Sequence, residues 1–259
     1  MAKQQAYALL SREPDLVALQ EVTRSTYAIL EPVLKNGGLA HIACSLADRA
    51  ELKGPRSLGV LIASRHSLEL LPGLPIPWPE KALSIAIESD PAFELHTVHI
   101  PPGSTNGWTK VEVLEGVAEG MSQPSSRNRI VCGDFNTPQH ETLSGEIVTW
   151  GQKITPEGPV IVRTKSGGPG ARWDRAERGC LDGPLQDVFR AVHGSALVEA
   201  SWFLNRKGKS IGRRYDHIFA SPEIQPHSCT YLHDWRTEGL SDHSAIEADL
   251  VIASPARPS

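Results

Sequence analysis

Most apolar residues of this chain lie in short runs that follow one another too closely for a helix to connect them. Between residues 40 and 100 these runs cover 40–45, 58–63, 66–71, 83–88 and 93–100. Their lengths are those of β-strands. Parallel neighbours need a crossover of about a dozen residues or more, so these strands are expected to pair mainly antiparallel. The spacing therefore argues against a doubly wound parallel fold.

Longer segments with helical periodicity alternate with these runs, at 3–12, 25–35, 108–120, 172–181 and 185–192. Further strands are predicted at 16–22, 129–132, 215–220, 224–232 and 245–252. The Gly- and Pro-rich residues 151–170 predict a long surface loop. We see no repeat and no linker between two cores. The pattern predicts one α+β domain over 1–253, with packed sheets and outer helices, and a flexible tail at 254–259.

The charge balance limits the partners of this chain. Lys and Arg number 26 and Asp and Glu number 30, so the net charge of −4 exerts no overall attraction on nucleic acid or anionic membrane. A polyanion would have to bind at a local patch. No apolar run reaches the roughly 18 residues of a membrane span, and the first residues lack the apolar core of a signal peptide. We therefore expect a cytoplasmic protein, and we also expect it to be a monomer.

Four segments place acid, amide or imidazole groups at the end of an apolar run. They are Leu19-Gln20-Glu21, Gly133-Asp134-Phe135-Asn136, Tyr215-Asp216-His217 and Leu240-Ser241-Asp242-His243. Side chains at strand ends converge at one edge of a sandwich, where loops form a cleft. These segments are therefore the candidates for a functional site.

Asp134 and Asn136 stand two residues apart, so on an extended chain both side chains point to the same side. Gly133 lets backbone or substrate approach closely. The carboxylate suits holding or deprotonating water, and the amide suits donating to a phosphoryl oxygen. A solvated Asp-Phe-Asn turn is the alternative, and the motif by itself does not decide between them.

The other segments suggest separate roles. An ionised Glu21 at the end of an apolar run is costly unless it is paired or metal-bound, and oxygen ligands of this kind suit Mg²⁺ or Mn²⁺. His243 can donate to a scissile phosphate while Asp216 holds its ring and raises its pKa. Asp242 points to the opposite face and is free to bind metal or water. For each, a solvated strand end is the alternative.

A basic segment follows Trp202. Five cations and no acids lie between Arg206 and Arg214. A phosphate-gripping loop with a stacking aromatic and a solvated basic turn fit this pattern equally. His99 ends another strand and, taken alone, is more typical of a structural histidine.

In order and spacing, the segments LQEV, GDFN, YDHIFAS and LSDHSAI resemble the endonuclease/exonuclease/phosphatase superfamily over about Pro14 to Leu250. The resemblance implies a four-layer α/β/β/α sandwich, with two mixed, mainly antiparallel sheets packed face to face, and phosphoester hydrolysis with Mg²⁺ or Mn²⁺. The DVFR segment at 187–190, Trp202 and the RRYD segment at 213–216 look like the exodeoxyribonuclease III and abasic-site endonuclease branch. A histidine at position 99 is instead typical of pancreatic-type deoxyribonucleases and sphingomyelinases.

The resemblance also implies a role for each matching residue. Catalytic roles fall to His99, Asp134, Asn136, Asp216 and His243; metal binding to Glu21 and Asp242; and substrate binding to Trp202, Arg190, Arg213 and Arg214. Family members usually carry a strand with an Asn before the LQE glutamate, and none is visible here. We expect this form to be less stable and less active than one that includes such a strand.

The leading hypothesis is a metal-dependent nuclease or phosphodiesterase that acts on nucleic acid by in-line attack of an activated water. A small-molecule, lipid or inositol phosphatase of the same fold is a second possibility. A sandwich that has lost its chemistry and only binds is a third.

Overall fold

The computed structural model describes residues 1–49, 51–142 and 144–253. Its helices are α1 (Ala2–Leu10), α2 (Arg24–Asn36), α3 (Gly103–Asn106), α4 (Trp108–Ser122), α5 (Gly170–Leu181), α6 (Val188–His193) and α7 (His233–Thr237), with 3₁₀ turns at Gly54–Ser57 and Pro79–Lys81. Its longer strands are β1 (Leu16–Val22), β2 (His41–Cys44), β3 (Gly59–Ser64), β4 (Leu68–Leu70), β5 (Ala82–Ile87), β6 (Phe93–His99) and β7 (Asn128–Asp134).

The second half of the chain contributes mostly short strands and, at its end, two long ones. They are β8 (His140–Glu141), β9 (Ile147–Val148), β10 (Gln152–Thr155), β11 (Gly158–Ile161), β12 (Thr164–Lys165), β13 (Gly168–Pro169), β14 (Gln186–Asp187), β15 (Trp202–Arg206), β16 (Lys209–Arg213), β17 (Asp216–Ala220), β18 (Ile224–Leu232) and β19 (Ala245–Ile252).

These elements form the predicted four-layer α/β/β/α sandwich. One sheet has six strands in the order β14-β17-β7-β6-β5-β4, and only the β6–β7 pair is parallel. The facing layer consists of the sheet β1-β3-β2 and the antiparallel pair β18-β19. Helices α4 and α5 cover the outer face of the six-stranded sheet, and α1 and α2 cover the other side. The fold prediction is thus confirmed.

Three apolar clusters hold the layers together. The cluster between the sheets joins Ile62 of β3 to Ile85, Leu95 and Ile130 of the larger sheet, and three of these four side chains are at most 4% exposed. Burial of one such side chain contributes about 1.5–3 kcal/mol. The interior between the sheets therefore fixes how β1 and β19 sit over β6, β7 and β17.

Residues 151–170, predicted as a long loop, instead form the hairpins β10–β11 and β12–β13. The segment 185–192 was predicted as one helix, but its first part is strand β14, because Gln186 and Asp187 pair with the edge of β17. Helix α6 follows it. The hairpin β15–β16 was not predicted, since its residues lack a regular alternation of apolar and polar side chains. No helix among the described residues is long and apolar enough to cross a membrane.

Candidate active site

Three neighbouring strands place three predicted catalytic residues side by side. The antiparallel pairing of β17 with β7 sets Asp216 opposite Asp134, and the parallel pairing of β7 with β6 sets Asp134 opposite His99. Residues that oppose each other directly project from the same face of a sheet. The register therefore fixes Asp216, Asp134 and His99 as a row at one end of the six-stranded sheet.

A tight turn follows β7. Gly133 has a φ of +138°, and a Cβ there would lie 2.0 Å from the carbonyl oxygen of Val98. Only glycine lets the two parallel strands approach so closely. Asn136 has a φ of +51°, so the chain is not extended here as the sequence suggested. The turn, and not strand alternation, brings Asn136 back to Asp134.

The amide of Asn136 holds the carboxylate of Asp134. The backbone N–H of Asn136 donates to Asp134 Oδ1 at 2.8 Å, and its Nδ2 donates to Asp134 Oδ2 at 2.8 Å and to the carbonyl of Ile100 at 2.9 Å. Both amide hydrogens are therefore used within the protein. Asn136 therefore orients Asp134. Its contact with phosphate stays a prediction, and it requires Nδ2 to give up one of these hydrogen bonds for one to the phosphate.

A buried charge supports this turn from behind. Lys110 is 1% exposed and donates to the carbonyl of Asn136 at 2.6 Å, and the indole of Trp150 donates to the same oxygen at 3.3 Å. The buried carboxylate of Glu177 lies 3.8 Å from Lys110 Nζ. Sequence reasoning missed these supports. The available signal was a lysine on the apolar stripe of the α4 segment.

His243 is paired with Asp216. Their Nδ1 and Oδ2 atoms are 2.7 Å apart. Burial lowers the pKa of His243, but the hydrogen bond and charge of Asp216 outweigh it and raise that pKa to about 9. Asp216 is itself anchored, because its N–H donates to Ser201 Oγ at 3.1 Å and its carbonyl accepts from Tyr231 at 2.5 Å. The pair thus presents a cationic imidazole at neutral pH.

Glu21 comes from the facing layer. The register of β1 with β3 shifts between Leu19 and Val22, and at this bulge Glu21 has a φ of +57°. Its Oε1 lies 3.5 Å from His99 Nε2, while its side chain is 63% exposed. The argument that burial of Glu21 demands a partner is therefore wrong. Its place in the cleft follows from the bulge.

His99 lies at the back of the row. It is 2% exposed, and its Nε2 has no hydrogen-bond partner in the described part of the chain. That atom lies 3.9 Å from Asp134 Oδ2, between this carboxylate and Glu21. Burial, then the nearby charge of Lys81, lowers the pKa of His99 to about 3, so its ring is neutral. A buried, unpaired ring nitrogen that faces the cleft suits contact with a ligand.

The carboxylates of this site fit a divalent cation, whereas His243, while it is cationic and paired with Asp216, has no free lone pair to bind one. One ligand atom from each of Asp134, Asp216 and His243 lies within 4.8 Å of the others. Burial, then repulsion from Asp216, raises the pKa of Asp134, which indicates a deficit of positive charge at this position. Oxygen-rich sites of this kind suit Mg²⁺ or Mn²⁺. Neither predicted metal residue belongs to this group: Glu21 lies beside it, 3.5 Å from His99 Nε2, and Asp242 is exposed.

Two of the predicted substrate-binding residues are used inside the protein. Arg214 is 4% exposed and bonds to Glu141 and Asp187, each at 2.6 Å. Arg190 bonds to Glu141 at 2.6 Å and to the carbonyl of Leu197 at 2.6 Å. Arg214 is buried against two carboxylates and Arg190 is bonded to protein oxygens, so neither guanidinium is presented to a phosphate. Their assignment is corrected to a structural one.

The other two predicted substrate-binding residues line the cleft region. Trp202 is half-buried and stacks on Tyr215 with ring centroids 5.5 Å apart, and its ring lies 6.3 Å from that of His243. The guanidinium of Arg213 lies over the ring of Trp150 at 5.6 Å. Trp202 thus begins the β15–β16 hairpin directly beside the Asp216–His243 pair.

This chain is similar to known proteins both in its sequence family and in its fold. The family model described as "Endonuclease/Exonuclease/phosphatase family" matches residues 3–243. An endonuclease/exonuclease/phosphatase from Beutenbergia cavernae is similar, with a TM-score of 0.62 and 17% identity over 97% of this chain and 66% of that one. This chain thus spans just under two thirds of that protein. No curated protein matches the sequence.

Two further solved structures share the fold. TDP2 of D. rerio, solved with a single-strand DNA product, has a TM-score of 0.57 and 16% identity, with 95% of this chain and 91% of that one covered. A mannosyl-6-phosphatase of Bacteroides thetaiotaomicron has a TM-score of 0.62 and 15% identity, with coverages of 97% and 90%. Identities this low indicate a shared fold only. Because the family model matches most of its length, this chain belongs to the endonuclease/exonuclease/phosphatase family.

Proposed function

We propose that this protein is a divalent-metal-dependent phosphodiesterase that acts on nucleic acid. The observation that carries the proposal is the convergence of Asp134, Asp216 and His243 within 4.8 Å, beside the unpaired Nε2 of His99. The proton acceptor Asp134, the cationic donor His243 and the neutral donor His99 thus face the same part of the cleft. That combination suits attack of water on a phosphorus atom and protonation of the leaving oxygen.

Asp134 would hold the attacking water and accept its proton. Its carboxylate is kept in one orientation by Asn136, whose N–H groups bond to both of its oxygens at 2.8 Å. A raised pKa makes Asp134 a better proton acceptor than an ordinary carboxylate once it is ionised. A divalent cation, when bound by Glu21 and neighbouring carboxylates, would offset negative charge on the phosphoryl oxygens.

The two histidines would act on the phosphate itself. His243 is cationic at neutral pH, so it can stabilise charge that develops on the phosphoryl group and give up a proton. His99 is neutral and buried, and its Nε2 suits a fixed hydrogen bond to a phosphoryl oxygen. A fixed donor needs no reorganisation as the reaction proceeds.

The β15–β16 hairpin supports a nucleic-acid substrate. It carries the exposed cations Arg206, Lys207 and Lys209 at its tip, and Trp202 at its base. Cations track a phosphate backbone and an aromatic ring stacks on a base. The similar fold of TDP2, solved with a single-strand DNA product, is consistent with this choice.

The test compares substrates with Mg²⁺ and with EDTA: abasic duplex, single-stranded DNA, RNA and bis-p-nitrophenyl phosphate. Asp134→Asn should fold normally, bind substrate and lose orders of magnitude in kcat. If the wild type and Asp134→Asn bind nucleic acid equally well and neither hydrolyses a phosphoester, the protein is a binding module instead.

A sugar or inositol phosphatase is the second candidate. The net charge of −4 and the similar fold of a mannosyl-6-phosphatase favour it. Hairpin variants separate the two: replacing the tip cations Arg206, Lys207 and Lys209 with Gln should raise KM for single-stranded DNA and leave KM for bis-p-nitrophenyl phosphate unchanged. Hydrolysis of phosphorylated sugars or inositols alone would favour the second candidate.

A further inference from the structure

Lys81 is a buried ammonium next to the site that the proposed chemistry does not use. It is 2% exposed and forms no salt bridge among the described residues. Its Nζ donates to the carbonyl of Leu58 at 2.8 Å and lies 3.3 Å from His99 Nδ1. Burial of an ammonium without a carboxylate partner is costly. A hydrogen bond to one carbonyl does not by itself explain why Lys81 is buried here.

The backbone around Lys81 holds it in this direction. The preceding residue, Glu80, is fully buried and makes two bonds to Arg56, at 2.6 and 2.9 Å. The carbonyl of Glu80 also accepts from Ser45 Oγ at 2.7 Å. These contacts fix the 3₁₀ turn before β5. The ammonium is therefore directed at His99 by a rigid support.

The chemistry of an ammonium determines which nitrogen of His99 carries the proton. An ammonium has hydrogen-bond donors and no acceptor, so it can approach Nδ1 only if Nδ1 is unprotonated. The proton of a neutral imidazole then lies on Nε2. In His99 that is the buried nitrogen between Glu21 and Asp134.

We propose that Lys81 is a positioning residue, whose ammonium holds His99 in the Nε2–H tautomer and so aims an N–H donor into the cleft. Its benefit to hydrolysis rests on the function proposed above, while the tautomer itself does not. Without Lys81, the ring is free to place its proton on Nδ1 and to turn an acceptor lone pair toward the carboxylates. A phosphoryl oxygen would then lose its donor.

The direct test is the tautomer of His99 by ¹⁵N NMR of the full chain at pH 7, with ¹⁵N-labelled histidine and assignment by His99→Gln. The wild-type protein should show Nε2 protonated and Nδ1 as the acceptor. Lys81→Met keeps the side-chain length and should shift the ring toward the Nδ1–H form. Lys110→Met is the matched control, because it removes a buried ammonium that contacts Asn136 and not His99.

A wild-type ring protonated at Nδ1 would overturn the proposal without any variant. So would an unchanged tautomer in Lys81→Met. Because the NMR readout needs no activity, a wild-type protein that hydrolyses no phosphoester would refute the proposed function and leave this test intact.

Kinetics provide a second readout. Lys81→Met should lower kcat by about 10- to 100-fold with a smaller change in KM, the range seen when a residue that orients a functional histidine is lost. In a His99→Gln background the same substitution should have little further effect, because its action passes through His99. An equal loss in both backgrounds would mean that Lys81 only supports the fold, and would overturn the proposal.

Discussion

Replacement of Asp216 by Asn should remove most of the positive charge from His243 at neutral pH. His243 is cationic because Asp216 accepts a hydrogen bond from its Nδ1 at 2.7 Å. The carboxamide would keep the volume of the side chain and lose its charge. Burial, which lowers the pKa of His243, would then act with little opposition.

The magnitude follows from the raised pKa. The rise of the His243 pKa from 6.5 to about 9 corresponds to about 3 kcal/mol that favours the imidazolium in the folded protein. At pH 8, His243 would be about nine tenths protonated in the wild type and about three hundredths protonated with a pKa of 6.5. Because the folded pKa lies above the unfolded one, this stabilisation is full below pH 6.5 and is lost as the pH rises through about 9.

The assay is an NMR titration of His243 without added metal, together with urea unfolding at pH 6 and pH 9.5. In Asp216→Asn, the pKa of His243 should fall to 6.5 or below, and the loss of stability between the two pH values should shrink. Asp242→Asn is the matched control, since this neighbouring carboxylate is exposed and screened by water. A pKa of His243 near 6.5 in the wild type, or equal shifts in both variants, would refute the reasoning.

Three other outcomes are expected. Gly133→Ala should destabilise the protein by about 3 kcal/mol or more in urea unfolding, because its Cβ would meet the Val98 carbonyl, whereas Gly73→Ala, with open space, should change stability little. Glu141→Gln should destabilise the protein by about 1.5–3 kcal/mol by the same measurement, because the buried charge of Arg214 loses one of its two carboxylate partners and keeps Asp187. EDTA should abolish hydrolysis and lower the melting temperature, and Mg²⁺ or Mn²⁺ should restore both; a metal-independent rate would contradict this.

The fold was predictable because its signals are local. Runs of strand length with short connections indicated two packed, mainly antiparallel sheets, and most strand positions agree within a few residues. The exceptions depend on distant partners. Gln186 and Asp187 became a strand because they meet the edge of β17, and residues 152–161 became a hairpin although their composition is typical of a loop.

The sequence predicted which strand ends carry the site residues. It predicted less well which side chains contact one another. The sequence indicated that Asp134, Asp216 and His243 would converge, but a pairing register cannot be read from one chain. Lys81 was missed because sequence alone does not tell a buried lysine from an exposed one. Arg214 was assigned to substrate binding through the family resemblance, because its carboxylate partners cannot be recognised from the sequence.

The arrangement of the site between two layers has a mechanical consequence. Asp216, Asp134 and His99 belong to adjacent strands of one sheet, so their spacing is fixed by backbone hydrogen bonds. Glu21 and His243 belong to the facing layer, at a bulge of β1 and just before β19. Their distance from the row therefore depends on the apolar packing between the sheets. A misplacement of about 1 Å can cost about 100-fold in rate, so the inter-sheet core supports catalysis as well as stability.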